Sequence, residues 1–370
     1  MEYMFPDYNK GLINVISSLE KYFGVKPKHN SLKILDEVLD ENGSKNVVLF
    51  LFDGLGYNLL CDNKDICPFL YKHLKGKISS NFPSTTMSAR TTLESGLTPK
   101  EHGWLGWDMY FKKFDNVICL SKNVIKGTKT KPANYHVGRT LLKYTLVTDL
   151  INEKNDTIGK TLRVYSNHKH ESLRRISRQI KRLTRKKEKV FIYAYYNEPD
   201  HVMHHYGTNA NLTIKYLKHI EKWFKKTCRS LKNTTVIAIA DHGHIDVNYI
   251  NLIDYPNITK MLDKNISIDD RATSFMVKKE YKKTFPIELK RVLKDDFIIM
   301  SKKEVIEKGL YGSGNENEYF MDGLGDYFAL GISDKAIRYD NNKKPHKSAH
   351  SGLTLDEMLV PLIIVNSDKT

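Results

Sequence analysis

Three aspartates each follow a short apolar run of the chain. Asp53 follows VVLFLF directly, Asp241 follows TVIAIA directly, and Asp200 follows VFIYAYY after Asn-Glu-Pro. Continuous apolar runs of this length are typical of strands buried on both faces of a parallel sheet. Because the carboxyl ends of parallel strands lie along one edge, we expect the three carboxylates to converge there. They would repel one another unless cations lay between them.

Histidines accompany these aspartates at spacings that suit a metal site. His204 follows Asp200 by four residues, which places both on one face if a helix begins at Asp200. His242 follows Asp241 in the segment DHGH, and His350 lies shortly before the last apolar run. A mixture of carboxylate and imidazole ligands suits Zn²⁺ better than Ca²⁺ or Mg²⁺.

A hydroxyl-rich segment, NFPSTTMSAR at 81–90, supplies candidate nucleophiles at the start of a short predicted helix. Backbone N–H groups and the dipole at a helix N-terminus favour phosphate, and a hydroxyl beside a metal can ionise and attack it. Each feature alone has an ordinary explanation, since aspartates after strands and hydroxyls before helices are often caps. Their joint occurrence in this order favours a metal site that acts on phosphate.

The elements that position these residues alternate along the chain, which predicts an α/β fold with a mostly parallel sheet. The predicted strands are Val47–Phe52, Val190–Tyr196, Thr235–Ala240 and Met358–Val365, and the clearest predicted helices are Asn9–Phe23, Ser88–Glu94, Ser172–Arg185 and Thr213–Leu231. With no internal repeat and no Gly/Ser-rich or Pro-rich linker, we expect one domain over residues 1–370. Residues 110–145 and 265–344 fit the alternation poorly, and we expect them to form a substrate-side cap over the carboxyl edge.

The composition and net charge of the chain indicate which classes of partner to consider. The 370 residues carry 59 Lys+Arg against 43 Asp+Glu, a net charge of +16, and the apolar content excludes a disordered or fibrous chain. The excess of positive charge suggests phosphate, nucleic acid or an anionic membrane as partner. Its densest stretch, Arg174–Lys189, predicts an amphipathic helix with a basic outer face. We favour a solvated face there over contact with nucleic acid or membrane.

The cysteines and the chain start point to a cytoplasmic protein. Cys61, Cys67, Cys119 and Cys228 form neither a disulfide framework nor a Cys-x-x-Cys pair, which predicts reduced thiols. No secretory signal pattern and no run of about 18 apolar residues occurs. The oligomeric state is left open.

Taken as a set, five segments between about residues 47 and 365 resemble the alkaline phosphatase superfamily, most closely its nucleotide pyrophosphatase/phosphodiesterase branch. They are VVLFLFDGLG, NFPSTTMSARTTLESGLTPKEHGWLGW, YYNEPDHVMHHYG, IAIADHGHID and HSGLTLDEMLVPLIIV. The resemblance implies a three-layer α/β/α sandwich and two divalent metal ions, usually Zn²⁺, with Mn²⁺ or Mg²⁺ as alternatives. It implies one metal bound by Asp53, Thr86, Asp241 and His242 and another bound by Asp200, His204 and His350, with Thr86 as nucleophile and Thr85 as the fallback if the loop register shifts by one.

The chain departs from the pattern of that branch at one position. Ala89 stands where many of these phosphodiesterases have an asparagine that holds a phosphoryl oxygen. We expect Arg90 to supply this contact, since a guanidinium can clamp phosphate; the alternative is an ion pair with Glu94 at i, i+4. Arg271 in the second insertion is a further candidate for substrate contact. The sulfatase signature is absent.

The predicted function is metal-dependent hydrolysis of phosphodiester or pyrophosphate bonds in a nucleotide-like or other small phosphate ester. We expect one metal to activate Thr86 for in-line attack and the other to stabilise the leaving oxygen. Two divalent cations would balance the three aspartates and an ionised Thr86, so a phosphodiester monoanion would not be repelled. The alternatives are a phosphomonoesterase on the same site and a catalytically inactive protein that binds anions or nucleic acid.

Overall fold

The computed structural model describes residues 1–166, 173–340 and 344–370. In chain order, the described strands are β1 (Asn46–Phe52), β2 (Leu74–Ser79), β3 (Asp108–Phe111), β4 (Asn116–Cys119), β5 (Val124–Ile125), β6 (Thr157–Val164), β7 (Lys189–Tyr196), β8 (Thr234–Ile239), β9 (Ile245–Asp246), β10 (Asn248–Asn251), β11 (Ser267–Ile268), β12 (Ala272–Phe275), β13 (Phe297–Ser301), β14 (Tyr327–Gly331), β15 (Lys335–Arg338), β16 (Ser348–Ala349) and β17 (Leu359–Asn366).

The α-helices, again in chain order, are α1 (Leu12–Tyr22), α2 (Lys33–Asn42), α3 (Tyr57–Asp62), α4 (Pro68–Lys72), α5 (Thr86–Ser95), α6 (Pro99–His102), α7 (Val137–Leu141), α8 (Val147–Asn152), α9 (Leu173–Leu183), α10 (Asp200–Tyr206), α11 (Asn211–Cys228), α12 (Pro256–Thr259), α13 (Phe285–Leu293), α14 (Lys302–Glu307), α15 (Phe320–Gly323) and α16 (Leu355–Met358). The predicted helices correspond to α1, α5, α9 and α11. Position 172, where the third was predicted to begin, lies outside the described residues.

The central sheet has the strand order β2-β17-β8-β1-β7-β6. Neighbours among β8, β1, β7 and β6 pair in parallel, which confirms a mostly parallel sheet. The last strand, β17, runs antiparallel to both β8 and β2. This follows from where the chain enters β17: α16 lies at the carboxyl end of β8, with the Gly243 N–H donating to the Glu357 carbonyl at 2.8 Å. The strand must therefore run back from that edge.

Helices cover both faces of this sheet, so the fold is the three-layer sandwich expected from the resemblance. On one face, the rings of Phe50 and Phe52 contact Phe224 of α11, with centroids 5.7 and 5.8 Å apart. On the other face, Phe191 pairs with Val47 and its ring lies 5.6 Å from that of Phe23, which follows α1. Every residue of β1 is buried, as a continuous apolar run between two layers of helices requires.

A second, antiparallel sheet has the order β13-β14-β12-β11-β3-β4-β5. It joins the two stretches predicted as insertions, because β11 pairs with β3, which begins at Asp108 and runs into the first stretch. The second sheet approaches the carboxyl edge of the first, where Thr85 Oγ1 donates to Asp269 Oδ2 at 2.7 Å. Residues 341–343 of the second insertion lie outside the described residues. The substrate-side cap and the single domain over 1–370 stay predictions.

The basic helix α9 is amphipathic as predicted. Its apolar residues are buried and its charged residues face outward; the buried set is Leu173, Ile176, Ile180 and Leu183. The four cysteines are free thiols. Within the described part of the chain, none of the helices combines the length and apolar character that crossing a bilayer requires. Cytoplasmic location, and contact of α9 with nucleic acid or membrane, stay predictions.

Candidate active site

The three aspartates meet because β8, β1 and β7 are neighbours with the same direction. Asp53 immediately follows β1, Asp241 lies two residues beyond β8, and Asp200 is the first residue of α10 after β7. The backbone ties two of them together, since the Asp200 N–H donates to the Asp53 carbonyl at 2.9 Å. The convergence predicted at this edge is therefore present.

Asp53, Asp241 and His242 form one compact group, the Asp53 cluster. His242 Nε2 lies 3.4 Å from Asp53 Oδ1 and 3.5 Å from Asp241 Oδ2. Asp241 Oδ1 accepts from the Gly54 N–H at 3.1 Å, whereas Asp241 Oδ2 is buried without a hydrogen-bond partner among the described residues. One carboxylate oxygen of the cluster thus has no proton donor in the part of the chain that the structure describes.

Thr86 begins α5 and faces this cluster. Its Oγ1 atom lies 3.1 Å from His242 Nε2 and 3.4 Å from Asp53 Oδ1, and the residue is 3% exposed. Thr85, the N-cap of the same helix, is turned away and bonds Asp269 instead. Of the two candidate nucleophiles, only Thr86 is placed against the Asp53 cluster.

Asp200, His204, His244 and His350 form a second group, the Asp200 cluster. The three imidazole Nε2 atoms all lie near Asp200 Oδ1, at 2.7 Å for His244, 3.3 Å for His204 and 3.7 Å for His350. The sequence predicted three members of this group; His244 is the additional one.

The two clusters adjoin. The rings of His242 and His350 stack with centroids 3.7 Å apart, one from each cluster. Gly54 lies between them with a left-handed φ of +74°, and a Cβ there would be 3.0 Å from Asp200 Cβ and from His244 Cδ2. Glycine at this position therefore permits the close approach of the clusters.

Charge is distributed unequally between the clusters. Burial, together with the charges of Asp241 and Asp200, raises the pKa of Asp53 well above its usual range. Burial also disfavours ionised Asp200, but the charge of His204 and hydrogen bonds from His204 and His244 outweigh it and hold the pKa of Asp200 well below its usual range. Burial lowers the pKa of His204, but the charge of Asp200 and its hydrogen bond outweigh burial and raise that pKa to about 9.

The residues present fit divalent cations. The partnerless oxygen of Asp241 and the crowding of carboxylates around Asp53 both call for positive charge. Three of the four histidines have their Nδ1 atoms against backbone carbonyl oxygens: His242 against Gly243 at 3.0 Å, His204 against Ser348 at 2.8 Å and His350 against Ser84 at 3.1 Å. With Nδ1 donating to a carbonyl, the Nε2 lone pair is free to bind a metal.

The two arginines predicted to contact substrate have partners within the protein. Arg90 is paired with Glu94, with Nε 3.4 Å from Oε1, and its guanidinium lies 5.1 Å from the ring centre of Tyr195. The ion-pair alternative is thus present, and a substrate contact by Arg90 stays a prediction. Arg271 is fully buried, with Nε and Nη2 each 2.7 Å from the Glu357 carboxylate. Arg271 thus forms a buried ion pair with Glu357, and a substrate contact by Arg271 stays a prediction.

Sequence reasoning missed two residues that contact the site. Tyr195 donates its hydroxyl hydrogen bond to Asp53 Oδ2, but in the run VFIYAYY it is indistinguishable from a core aromatic. His244 had a signal, because it follows His242 by two residues in DHGH. The sequence reasoning included only His242 of this pair, and the structure adds His244 to the Asp200 cluster.

An α/β/α sandwich whose carboxyl edge carries two carboxylate–imidazole clusters around a buried hydroxyl is typical of metal-dependent hydrolases that act on phosphate esters. Residues 47–318 match the family model described as type I phosphodiesterase/nucleotide pyrophosphatase, and the chain belongs to that family. No curated protein matches the chain in sequence.

Solved structures share the fold. Human ectonucleotide pyrophosphatase/phosphodiesterase 5 superimposes with a TM-score of 0.66 at 15% identity, covering 86% of this chain and 87% of that chain. An inactive variant of the murine protein of that name, in complex with AMP, gives a TM-score of 0.64 at 14% identity, covering 85% of this chain and 87% of that chain. At this level of identity the likeness shows the fold.

Proposed function

We propose that this protein hydrolyses phosphodiester or pyrophosphate bonds in nucleotide-like or other small phosphate esters, with Thr86 as nucleophile and two divalent cations. The observation that carries the proposal is the position of Thr86. Its hydroxyl is buried at the N-terminus of a helix, within 3.4 Å of both His242 Nε2 and Asp53 Oδ1. A hydroxyl with only a capping role would not need two metal-ligand side chains beside it.

The two clusters would each hold one cation. Asp53, Asp241, His242 and the Thr86 oxygen would hold the first, and the second would lie among Asp200, His204 and His350. Bound cations at these positions would supply Lewis-acid stabilisation of the transferring phosphoryl group and favour ionised Thr86. The imidazole content favours Zn²⁺, with Mn²⁺ or Mg²⁺ as alternatives.

The reaction proceeds in two displacements on phosphorus. The deprotonated Thr86 oxygen attacks in line, the bond from phosphorus to the leaving oxygen breaks, and a phosphothreonine forms. Water then attacks the same phosphorus, the bond from phosphorus to the Thr86 oxygen breaks, and a proton of the water passes to that oxygen, which restores the Thr86 hydroxyl. The leaving group of the first displacement takes up the proton that Thr86 lost. The first N–H groups of α5 have no partner within their helix, so they are suited to hold a phosphoryl oxygen during both steps.

A nucleotide is the first substrate class to test. The murine protein of the same fold binds AMP in its solved structure, which supports this choice. Ala89 cannot donate a side-chain hydrogen bond to a phosphoryl oxygen, so substrate affinity must rest on the helix N-terminus, the cations and the surrounding side chains.

The test compares Thr86→Ala with Thr85→Ser, which keeps the neighbouring hydroxyl. Each protein is loaded with Zn²⁺ or Mn²⁺ and assayed on bis(4-nitrophenyl) phosphate, 4-nitrophenyl phosphate and a panel of nucleotides and dinucleotides. Thr86→Ala should lower kcat by at least about 10³-fold while both cations stay bound at saturating metal, since Asp53, Asp241 and His242 remain. Thr85→Ser should retain activity. Full activity in Thr86→Ala would overturn the assignment. A wild-type preference for the monoester would favour the phosphomonoesterase alternative.

A further inference from the structure

His244 lies as close to Asp200 as do His204 and His350, the two histidines expected to bind metal. It directly precedes β9, whose Ile245 pairs with Ala349 of β16, so His244 lies across from His350. Its side chain is fully buried. The ring centroid of His244 lies 4.8 Å from that of His204 and 5.1 Å from that of His350.

Three distances between the potential ligand atoms are near those expected around a four-coordinate cation. With bonds of about 2.0–2.1 Å, tetrahedral ligands lie about 3.3 Å apart. The three Nε2 atoms lie 2.7, 3.3 and 3.7 Å from Asp200 Oδ1, which brackets this value. The four potential ligand atoms, one from each residue, all lie within 4.8 Å of one another.

Ser348 orients His244 and His204 together. Its carbonyl oxygen lies 2.8 Å from His204 Nδ1, and its hydroxyl lies 3.0 Å from His244 Nδ1. A hydroxyl can accept from Nδ1–H. In that tautomer His244 Nε2, which lies 2.7 Å from Asp200 Oδ1, carries a lone pair for a cation and not the proton that it donates to Asp200 when no cation is bound. The ring is also confined on the side of Gly54, where a Cβ would come within 3.0 Å of it.

We propose that His244 is a fourth protein ligand of the cation held by Asp200, His204 and His350, an inference that rests on the proposed two-metal site. The Asp200 cluster then offers one carboxylate and three imidazoles, and a substrate oxygen would enter as a fifth ligand. This donor set selects Zn²⁺ over Mg²⁺ and Mn²⁺, which prefer oxygen ligands. The Asp53 cluster, with two carboxylates, one imidazole and Thr86, is the less selective of the two.

The alternative role for His244 is a hydrogen bond to Asp200 with no contact to the metal, and one substitution separates the two roles. His244→Gln keeps a side-chain N–H donor of similar reach but removes the imidazole, so it rescues a hydrogen bond and not a metal ligand. His205→Gln is the matched control, because His205 lies on the neighbouring surface, is exposed and belongs to neither cluster.

The experiment measures Zn²⁺ affinity by competition with a chromophoric chelator, and the visible spectrum of the Co²⁺-loaded protein, which responds to the number and type of ligands. His244→Gln should weaken one of two Zn²⁺ sites by more than the roughly 10–100-fold that loss of an outer hydrogen-bond partner costs, and should shift the bands of that site. His205→Gln should match wild type in both measurements.

Two results would overturn the inference, and they differ in what else they affect. If wild type binds two cations and His244→Gln keeps the wild-type cobalt spectrum, with unchanged or modestly weaker affinity, His244 only positions Asp200 and the proposed function stands. If wild type binds no divalent cation at all, both this inference and the two-metal function fail.

Discussion

The hydrogen bond from Tyr195 to Asp53 should set the affinity of the Asp53 cluster for its cation. Burial and the charge of Asp53 raise the pKa of Tyr195 well above its usual range, so the hydroxyl remains a donor across the accessible pH range. Its hydrogen bond to Asp53 Oδ2 favours the ionised carboxylate, which is the form that binds metal.

Tyr195→Phe removes that donor and keeps the buried ring. A hydrogen bond to a charged group contributes about 1.5–3 kcal/mol, which corresponds to roughly 10–150-fold in binding. We therefore expect one of the two cations to bind about 10–100-fold more weakly, in line with the loss of other hydrogen-bond partners of metal ligands. The measurement is Zn²⁺ competition with a chromophoric chelator, with kcat on bis(4-nitrophenyl) phosphate as a second readout.

Tyr193 provides the matched control, two residues earlier in the same strand. It is buried to a similar extent, but its hydroxyl has no hydrogen-bond partner among the described residues. Tyr193→Phe should leave Zn²⁺ affinity unchanged and should not destabilise the fold. Equal Zn²⁺ affinities in wild type, Tyr195→Phe and Tyr193→Phe would refute the reasoning.

Three further expectations concern stability and metal binding. Arg271→Ala should lower the free energy of unfolding by about 3–5 kcal/mol, because it leaves Glu357 buried without its bidentate partner. Urea unfolding should show a smaller loss of stability in the double variant Arg271→Ala/Glu357→Gln. An equal loss in the two variants would count against the ion-pair explanation. Metal-free protein should lose stability as pH rises from about 6.5 towards 9, because Asp200 raises the pKa of His204 to about 9 against the effect of burial. The imidazolium stabilises the folded state fully only below its unfolded pKa of about 6.5. Thermal melting of His204→Gln should lack this loss of stability between about pH 6.5 and 9, and a profile parallel to that of wild type would contradict the prediction. Gly54→Ala should weaken binding of both cations in calorimetric titration, because φ is +74° and the new Cβ would press on Asp200 at 3.0 Å; unchanged affinities would show that the clusters can separate without cost.

The central sheet was predictable because its strands are buried on both faces. The predicted run Val47–Phe52 differs from β1 by one residue, and Val190–Tyr196 differs from β7 by one. The same logic placed Asp53, Asp200 and Asp241 at one edge, since direction and neighbourhood follow from parallel pairing. The helix assumed at Asp200 begins there, and it brings His204 Nε2 to 3.3 Å from Asp200 Oδ1.

The second sheet was not predictable in this way. Its strands are two to five residues long, and its key pairing joins Ile268 to Asp108. Strands of this length carry too few residues for a periodic pattern, and pairing across so many residues depends on how the chain folds back. The burial of Arg271 was not predictable for the same reason, because its partner Glu357 is distant in sequence and lies in α16 near residue 370.

His244 shows why a ligand set taken from local spacing remains incomplete. Local spacing places His242 against Asp241, and it places His204 against Asp200. His244 instead joins the Asp200 cluster through the two-residue ladder between β9 and β16, which brings Ser348 within 3.0 Å of His244 Nδ1. Two histidines separated by one glycine therefore serve different clusters. The turn between them passes through Gly243, where a Cβ would come within 1.9 Å of the Asp356 carbonyl oxygen, so a larger residue there would disturb the placement of both histidines.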